Sequence, residues 1–520
     1  MTEAHLWKNG RVFTGRRTVS ALLAEGGRVT AAGAEAEVAR VAPTGTEVHD
    51  LEGHLVLPGL LDPHVHVAEL TRVREGLDLK GLASISALVD QIRSWASEHP
   101  KGAVVGRGWR AEQFREGRPP NRDDLDRGLL DRPVILFHAS GHVAVVNSSA
   151  IAVAGLDRAG GDPPSGRVGR DANGVPNGLL YEEAVRPVAS IAAAAFPPEP
   201  AALARTLRAV AALGLTSVAT MSTGPEELAA LRALARAGTL PVRVRAYLRL
   251  ARLDEFTPRD LEGDGPAGFF GVTGVKTFTD GAFGPRTAWL SHPYADAPED
   301  SGVPVGTEEE LAAAIARAVD RGLAPAVHAI GDRAVARAVR LLEPVRGKTR
   351  APGRIEHAAL TPPELLPEID RVRPVLVVQP GFVWSDDFLP DRLGPERVRW
   401  AYAFRTLADR GHLLVGSSDA PYDSLDPWRG LAACVVRTDP EGYSANPEPK
   451  EAIPVEEAIL LYTRNAGQAL AEPDLGSLEV GARADLVRTS AVDLARAVAA
   501  GAATVRETWV DGHRVGPGGP

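Results

Sequence analysis

Between residues 60 and 418, short apolar runs recur with amphipathic stretches between them, and this alternation constrains the chain more than any other feature. The runs lie at 60–67, 216–221, 242–248, 272–278, 324–330, 354–358, 375–379 and 413–418. Each has the length and the β-branched, apolar character of a buried strand. Between them, Leu203, Leu207, Val210 and Ala211 share one helical face. Leu311, Ala314, Ile315, Ala318 and Val319 share another, and Val335, Val339 and Leu342 a third. Strands alternating with such helices form parallel β/α units. The runs number about eight, the count that closes a (β/α)8 TIM barrel. The expected fold class is therefore α/β, with a doubly wound open sheet as the alternative.

The two ends of the chain read differently. Residues 1–57 suggest short strands and tight turns: Asn9-Gly10 signals a hairpin, and Gly26-Gly27 a second turn. Near the other end, 475–487 reads as strand, turn, strand, and Asp511-Gly512 as another hairpin turn. Neither terminal piece has enough strands to stand alone. They are expected to combine into one β-sandwich of 1–57 plus 466–520, around a barrel of 58–465. The interval from 68 to 200 is longer than a barrel crossover requires. It carries its own helical stretch at 88–96 and apolar strand at 134–137. It is expected to be an inserted α/β subdomain after the first strand, covering the mouth of the barrel.

Composition narrows the function classes. The net charge is −9, which argues against a general nucleic-acid or membrane-surface binder. The single cysteine, Cys434, permits no intrachain disulfide and no thiolate metal cluster, and fits a reducing cytoplasm. The N-terminal stretch lacks a basic segment followed by an apolar core, so no signal peptide is expected. No run approaches the ~20 apolar residues of a spanning helix. By base rate, a homodimer is expected.

Chemistry concentrates at the ends of the apolar runs, where a parallel barrel carries its active site. The first run contains His64 and His66, whose i, i+2 spacing puts both imidazoles on one face of a strand. Two neutral imidazoles held side by side are half of a first-row metal site. The fourth, fifth, sixth and eighth runs then supply Lys276, His328, His357 and Asp419. Together these form a ring of polar groups around one mouth.

The order HxH, Lys, His, His, Asp over these runs resembles the amidohydrolase superfamily. The wording is similar to its third amidohydrolase subgroup, which includes enzymes like N-substituted formamide deformylase. The matching text is PGLLDPHVHV at 58–67, SGHVAVVNSSAI at 140–151 and GVKTFTDGAFGPRTAWL at 274–290. It continues with HAIGDRAV at 328–335, RIEHAAL at 354–360, SSDAP at 417–421 and GSLEVGARADLV at 476–487. The resemblance implies one or two divalent metal ions, commonly zinc. It implies that His64, His66 and Asp419 bind the deeper ion, and that His328 and His357 bind the outer one. Lys276 would bridge both as a carboxylated lysine, because an ammonium has no lone pair and a carbamate does. The loop at 282–286 departs from the family by carrying Phe283 and Pro285, which bears on substrate fit.

The expected reaction is hydrolysis of a non-peptide, amide-like C–N bond, N-formyl or N-acyl, in a small-molecule substrate. A metal-activated hydroxide attacks, with Asp419 as general base and then acid. On the substrate side stand His142, Trp109, Arg286 and Asp280. His142 lies in a Gly-flexible polar stretch, Trp109 could wall an apolar pocket, and Arg286 could pair with an anionic group. Structural roles are equally open for these three: capping for His142, packing for Trp109, an ion pair for Arg286. Asp280 could orient a neighbouring ligand. The competing readings are a deaminase of the same superfamily, an ester or lactone hydrolase, and a non-catalytic metal-binding relative. Lys276 speaks against the deaminase.

Overall fold

The structure, a computed structural model, describes residues 3–138, 143–157, 162–163, 166–263 and 268–516, apart from the side chains of Glu112 and Glu182. Each of the eight apolar runs forms a strand. These are β1 (Leu60–Val65), β2 (Leu215–Thr223), β3 (Arg243–Arg249), β4 (Phe270–Phe278), β5 (Ala324–Ala329), β6 (Arg354–His357), β7 (Val375–Val378) and β8 (Leu414–Gly416). They lie in sequence order in one eight-stranded sheet, and every paired neighbour is parallel. The two ends of the sheet meet just beyond β1 and β8. His66 N–H donates to the Ala420 carbonyl at 2.9 Å, and Asp419 N–H donates to the His64 carbonyl at 2.8 Å. The barrel thus closes along a seam that carries three of the expected ligand residues.

The barrel interior is apolar where the strands begin. Leu61, Ala219, Tyr247, Ala326, Val375 and Val415 pack there with Ala466, Ala469 and Leu470. The last three come from the helix Arg464–Ala469 and its C-cap. Asn465 fixes that helix by donating from Nδ2 to the Leu414 carbonyl at the start of β8. Outside the sheet, the helix Glu308–Asp320 shows why these residues make helices. Thr307 caps it and accepts from the Glu310 N–H, while the Glu310 carboxylate accepts from the Thr307 N–H. Such a cap contributes about 1 kcal/mol. The helix buries Ile315, Ala318 and Val319 on one face.

Both termini contribute to the flanking sheets. A four-stranded sheet holds Arg28–Gly33, Ala21–Glu25, Ala4–Lys8 and Glu47–Asp50, in that order. A six-stranded sheet holds His513–Arg514, Val505–Val510, Leu486–Thr489, Leu55–Pro58, Arg11–Phe13 and Thr18–Val19. Trp7, Val12, Leu22, Val56, Leu486 and Trp509 form their shared core. The Gly26-Gly27 and Asp511-Gly512 turns join antiparallel strands. Asn9-Gly10 does not. The strands on either side of it lie in different sheets, so the pair carries the chain from one sheet to the other. Its backbone bonds to a distant segment instead of to itself: Leu51 N–H donates to the Lys8 carbonyl at 2.8 Å, Gly53 N–H to the Asn9 carbonyl at 2.7 Å and Arg11 N–H to the His54 carbonyl at 3.0 Å. Residues 475–485 likewise form no named strand, and only 486–489 joins the sheet. Their backbone is used instead on the N-terminal segment, with Leu478 N–H donating to Thr14 and Gly481 N–H to Val29.

Residues 68–202 form a compact unit of their own. Its mixed six-stranded sheet is covered on both faces. Along Val134–His138, Val134 and Leu136 join one apolar cluster with Leu88, Ile92 and Trp109, while Ile135 joins another with Ile151 and Val188. Among the described residues, no helix is long and apolar enough to cross a membrane.

One buried ion pair fastens the C-terminal segment to the barrel. Arg243 on β3 is fully buried and donates to Asp485 at 3.0 and 3.2 Å and to Asp511 at 3.0 Å. Removing one partner of such a pair costs about 3–5 kcal/mol, because the other charge is left buried. Arg243→Ala is expected to lose that amount in urea unfolding. A loss below about 1 kcal/mol would show that the pair is not a fastener.

Candidate metal centre

His64 and His66 leave the end of β1 on the same side, as strand alternation requires. Their ring centres are 5.5 Å apart, and each Nε2 lies 3.2 Å from the same atom, Asp419 Oδ1. Asp419 comes from the turn after β8 and holds a left-handed backbone at φ 58°. Asp62, two residues before His64, reinforces this seam. It is buried, and its Oδ1 accepts from the N–H groups of His64 and Ser418 at 3.2 and 3.1 Å. Burial raises the Asp62 carboxyl to about 6.

The other side of His64 fixes its tautomer. Glu356 on β6 is fully buried and accepts from His64 Nδ1–H at 2.5 Å. Burial would raise the pKa of Glu356, but Arg354 and His64 outweigh it and hold the carboxyl well below its usual value. Arg354 donates to Glu356 at 2.5 and 2.9 Å. With its proton on Nδ1, His64 presents a bare Nε2 lone pair to Asp419.

His357 is built the same way. Its Nδ1–H donates to Gln379 Oε1 at 2.7 Å, and Gln379 Nε2 donates to Ser417 Oγ at 3.0 Å. Nε2 of His357 is therefore the lone-pair atom. His357 and Ala358 both adopt left-handed backbone, at φ 73° and 43°. The His357 ring lies 5.2 Å from that of His64 and 4.4 Å from that of His328. His328 donates from Nε2 to the Gly281 carbonyl at 2.9 Å. Lys276 on β4 is buried, with Nζ 3.4 Å from His64 Nε2. The six expected ligand residues thus form one connected group.

Burial sets their protonation. It lowers His66, holds His357 well below the usual imidazole range and, with Lys276 nearby, lowers His328 to about 3. These rings are neutral at pH 7, the form that ligates metals. Burial also lowers Lys276 to about 8. For Asp419, burial would raise the pKa, but His64 and His66, when their Nε2 atoms carry protons rather than face a metal ion, hold it well below the carboxylate range.

This donor set fits a cation. Asp419 Oδ1 is buried and makes no hydrogen bond. It faces the lone pair of His64 at 3.2 Å, and two acceptors that close need a positive charge between them. One donor atom from each of His64, His357 and Asp419 lies within 4.8 Å of the others. Two neutral imidazoles and a carboxylate suit zinc or a similar divalent ion.

The substrate-side residues are placed variously. Asp280 is buried, and its oxygens accept from the backbone N–H groups of Trp289, Ile330 and Gly331 at 2.8–3.1 Å. Burial raises its carboxyl to about 7. It pins the loop after β4 to the end of β5. Arg286 pairs with Asp296 at 2.8 Å. Trp109 is buried in the core of the 68–202 unit and donates from Nε1 to the Leu136 carbonyl at 2.9 Å. His142 lies outside the described residues.

Sequence reading gave no role to Glu356, Arg354, Gln379 or Asp62. One signal was available. Arg354-x-Glu356 places opposite charges two apart on a strand, hence on the same face. In a barrel whose strands are buried, that spacing marks an interior pair.

The family comparison agrees with this geometry. The sequence model described as the amidohydrolase family matches residues 47–515. The YtcJ protein of Bacillus subtilis (strain 168), described as an amidohydrolase, is 33% identical over 92% of this chain and 93% of its own. The N-substituted formamide deformylase of Arthrobacter pascens is 26% identical over 90% of this chain and 89% of its own. An uncharacterized metal-dependent hydrolase from Pyrococcus furiosus superposes with a TM-score of 0.78 at 33% identity, covering 93% of this chain and 98% of that one. With nearly its whole length matched, and a histidine-carboxylate cluster where the barrel seam closes, this chain belongs to the amidohydrolase family.

Proposed function

We propose that this protein is a metal-dependent hydrolase of non-peptide C–N bonds, acting on a small N-formyl or N-acyl amine. The observation that carries the reading is Asp419 Oδ1: buried, free of hydrogen bonds, and 3.2 Å from two imidazole nitrogens. The relatives point the same way, one being described as a metal-dependent hydrolase and another as a deformylase of N-substituted formamides.

In this reading His64, His66 and Asp419 would hold a divalent ion, zinc being suited to the donors. His328 and His357 would hold a second, and Lys276, as a carbamate, would supply a further anionic oxygen ligand. Bound there, such ions acidify water and polarise a carbonyl oxygen. The chain's own residues do the rest. Asp419 is anionic at neutral pH and accepts the proton of the attacking water. It then returns that proton to the departing nitrogen, as a general base turned acid. Glu356 keeps the His64 proton on Nδ1, so Nε2 stays a donor to the ion. Lys276, lowered to about 8 by burial, is partly a neutral amine near pH 8. That amine attacks carbon dioxide, an N–C bond forms, and the proton leaves to solvent, giving an anionic oxygen ligand.

Three outcomes follow for protein supplied with zinc. Asp419→Asn is expected to lower kcat on N-formyl and N-acyl amines roughly 10²–10⁴-fold while most of the metal stays bound; full activity would remove Asp419 as the base. Glu356→Gln is expected to weaken zinc binding about 10–100-fold by competition with a chelator, since it frees the His64 tautomer. Incubation with ¹³C-bicarbonate is expected to give a carbamate NMR signal in the wild type and none in Lys276→Arg. A signal that survives the substitution would place the carbamate elsewhere.

A further inference from the structure

The flanking sheet built by the first strands holds a second cluster of ligating side chains, separate in residues and in sheet from the barrel centre. Ala4–Lys8 runs parallel to the edge strand Glu47–Asp50, with His5 opposite Glu47 and Trp7 opposite His49. Residues 5 and 7 share one face of their strand, and 47 and 49 share one face of theirs. Register alone therefore brings His5, Glu47 and His49 together. We propose that these three residues bind a divalent transition-metal ion of the zinc class.

The donor atoms already have the spacing that such an ion requires. His5 Nδ1 is 3.1 Å from His49 Nε2 and 3.4 Å from Glu47 Oε2, and His49 Nε2 is 3.8 Å from Glu47 Oε1. Tetrahedral bonds of 2.0–2.1 Å set ligand atoms about 3.4 Å apart. A simple imidazole–imidazole hydrogen bond would account for the first distance. It would not account for a carboxylate aimed at the same point.

A second observation comes from the far side of His5. The residue is only 4% exposed, and its Nε2 makes no hydrogen bond. The facing group is Glu3, whose Oε1 lies 3.5 Å away. When Nδ1 ligates a metal, the ring proton must sit on Nε2, directed at that carboxylate. A carboxylate behind a ligating histidine is the usual way its tautomer is fixed. The other oxygen of Glu3 lies 3.6 Å from His513 Nδ1, on the C-terminal hairpin.

The rings beneath the cluster hold it in shape. His49 stacks on Trp7, with centres 5.1 Å apart, and Trp509 meets His49 and His5 edge-on at 5.0 and 5.2 Å. A cavity of about 280 Å³ opens over the donors, with room for water to complete the coordination. Two imidazoles and a carboxylate without thiolate select zinc, nickel or copper(II) over magnesium or calcium. The ion would clip the first strand to the edge strand, so its role is to stabilise the sheet.

The test uses the full chain, stripped with a chelator and titrated with zinc near neutral pH. His49→Gln is expected to bind one equivalent fewer than the wild type. Glu47 is well exposed, so Glu47→Gln carries little folding risk; it should weaken the same equivalent at least about tenfold and leave turnover unchanged. Zinc should slow amide exchange in 4–8 and 47–50 in the wild type, and also in His64→Gln, where the barrel centre is impaired. It should not slow it in His49→Gln. Equal stoichiometry and affinity in wild type, Glu47→Gln and His49→Gln would overturn the proposal, as would the absence of zinc-dependent protection in these strands.

Discussion

The site depends on one buried carboxylate, that of Glu356, held between the guanidinium of Arg354 and the Nδ1–H of His64. In an apolar interior such a charge is tolerated only when it is paired and hydrogen-bonded on every side. The surrounding barrel supplies those conditions in sequence. Arg354 also donates to the Pro63 carbonyl at 2.6 Å and lies over the ring of Tyr247 at 4.6 Å. Tyr247 fits because the neighbouring strand carries Gly274, where a Cβ would come within 2.7 Å of the tyrosine ring. A glycine on β4 thus makes room for a tyrosine on β3. The tyrosine seats an arginine on β6, the arginine neutralises a glutamate, and the glutamate aims a histidine on β1. The lone pair that faces Asp419 is the last link of that chain.

The backbone at the site is held in conformations that these residues do not choose freely. His357, Ala358 and Asp419 all have positive φ, a state that costs of order 1–3 kcal/mol for a non-glycine residue. All three lie just where a strand ends and a loop begins. There a left-handed residue redirects a side chain that strand alternation would send elsewhere. Glu356 and His357 are adjacent and would point to opposite faces of a regular strand. The turn at His357 lets both serve the same centre, one from beneath and one from the rim. The hydrogen bonds of Asp62, Gln379 and Ser417 hold these turns in place.

Much of this was readable from residue order. The alternation of apolar runs and amphipathic helices gave the barrel, because strands buried on both faces leave an unbroken apolar signature. Period two gave the pairing of His64 with His66. What could not be read was contact across the barrel. Glu356 sits 292 positions from His64 in sequence, and the Arg-x-Glu spacing that marks it as interior does not say which residue it meets across the barrel. The same limit explains Asn9-Gly10, whose hairpin signal is local while the sheet switch is imposed by Leu51 and His54. Trp109 and Arg286 have the chemistry of substrate contacts, yet one is spent on its own core and the other on Asp296. Residue type told what each could do; neighbours decided what each does.

The terminal sheets have a mechanical bearing on the centre as well. The strand Leu55–Pro58 runs into β1 through Gly59, and it pairs with the C-terminal strand, Leu486 opposite Pro58. Gly59 lies so close to Thr216 that a Cβ would fall 2.3 Å from its hydroxyl, so the crossing from sheet to barrel admits no side chain. Asp485 secures that crossing twice. Its carbonyl accepts the Gly59 N–H at 2.8 Å, and its carboxylate takes the guanidinium of Arg243. The histidine strand is therefore tied at its start by the C-terminal segment and at its end by the backbone of Asp419 and Ala420. A short strand fixed at both ends has little freedom to shift its side chains. The precision with which His64 and His66 are aimed thus rests on residues at the far end of the chain, well away from either imidazole.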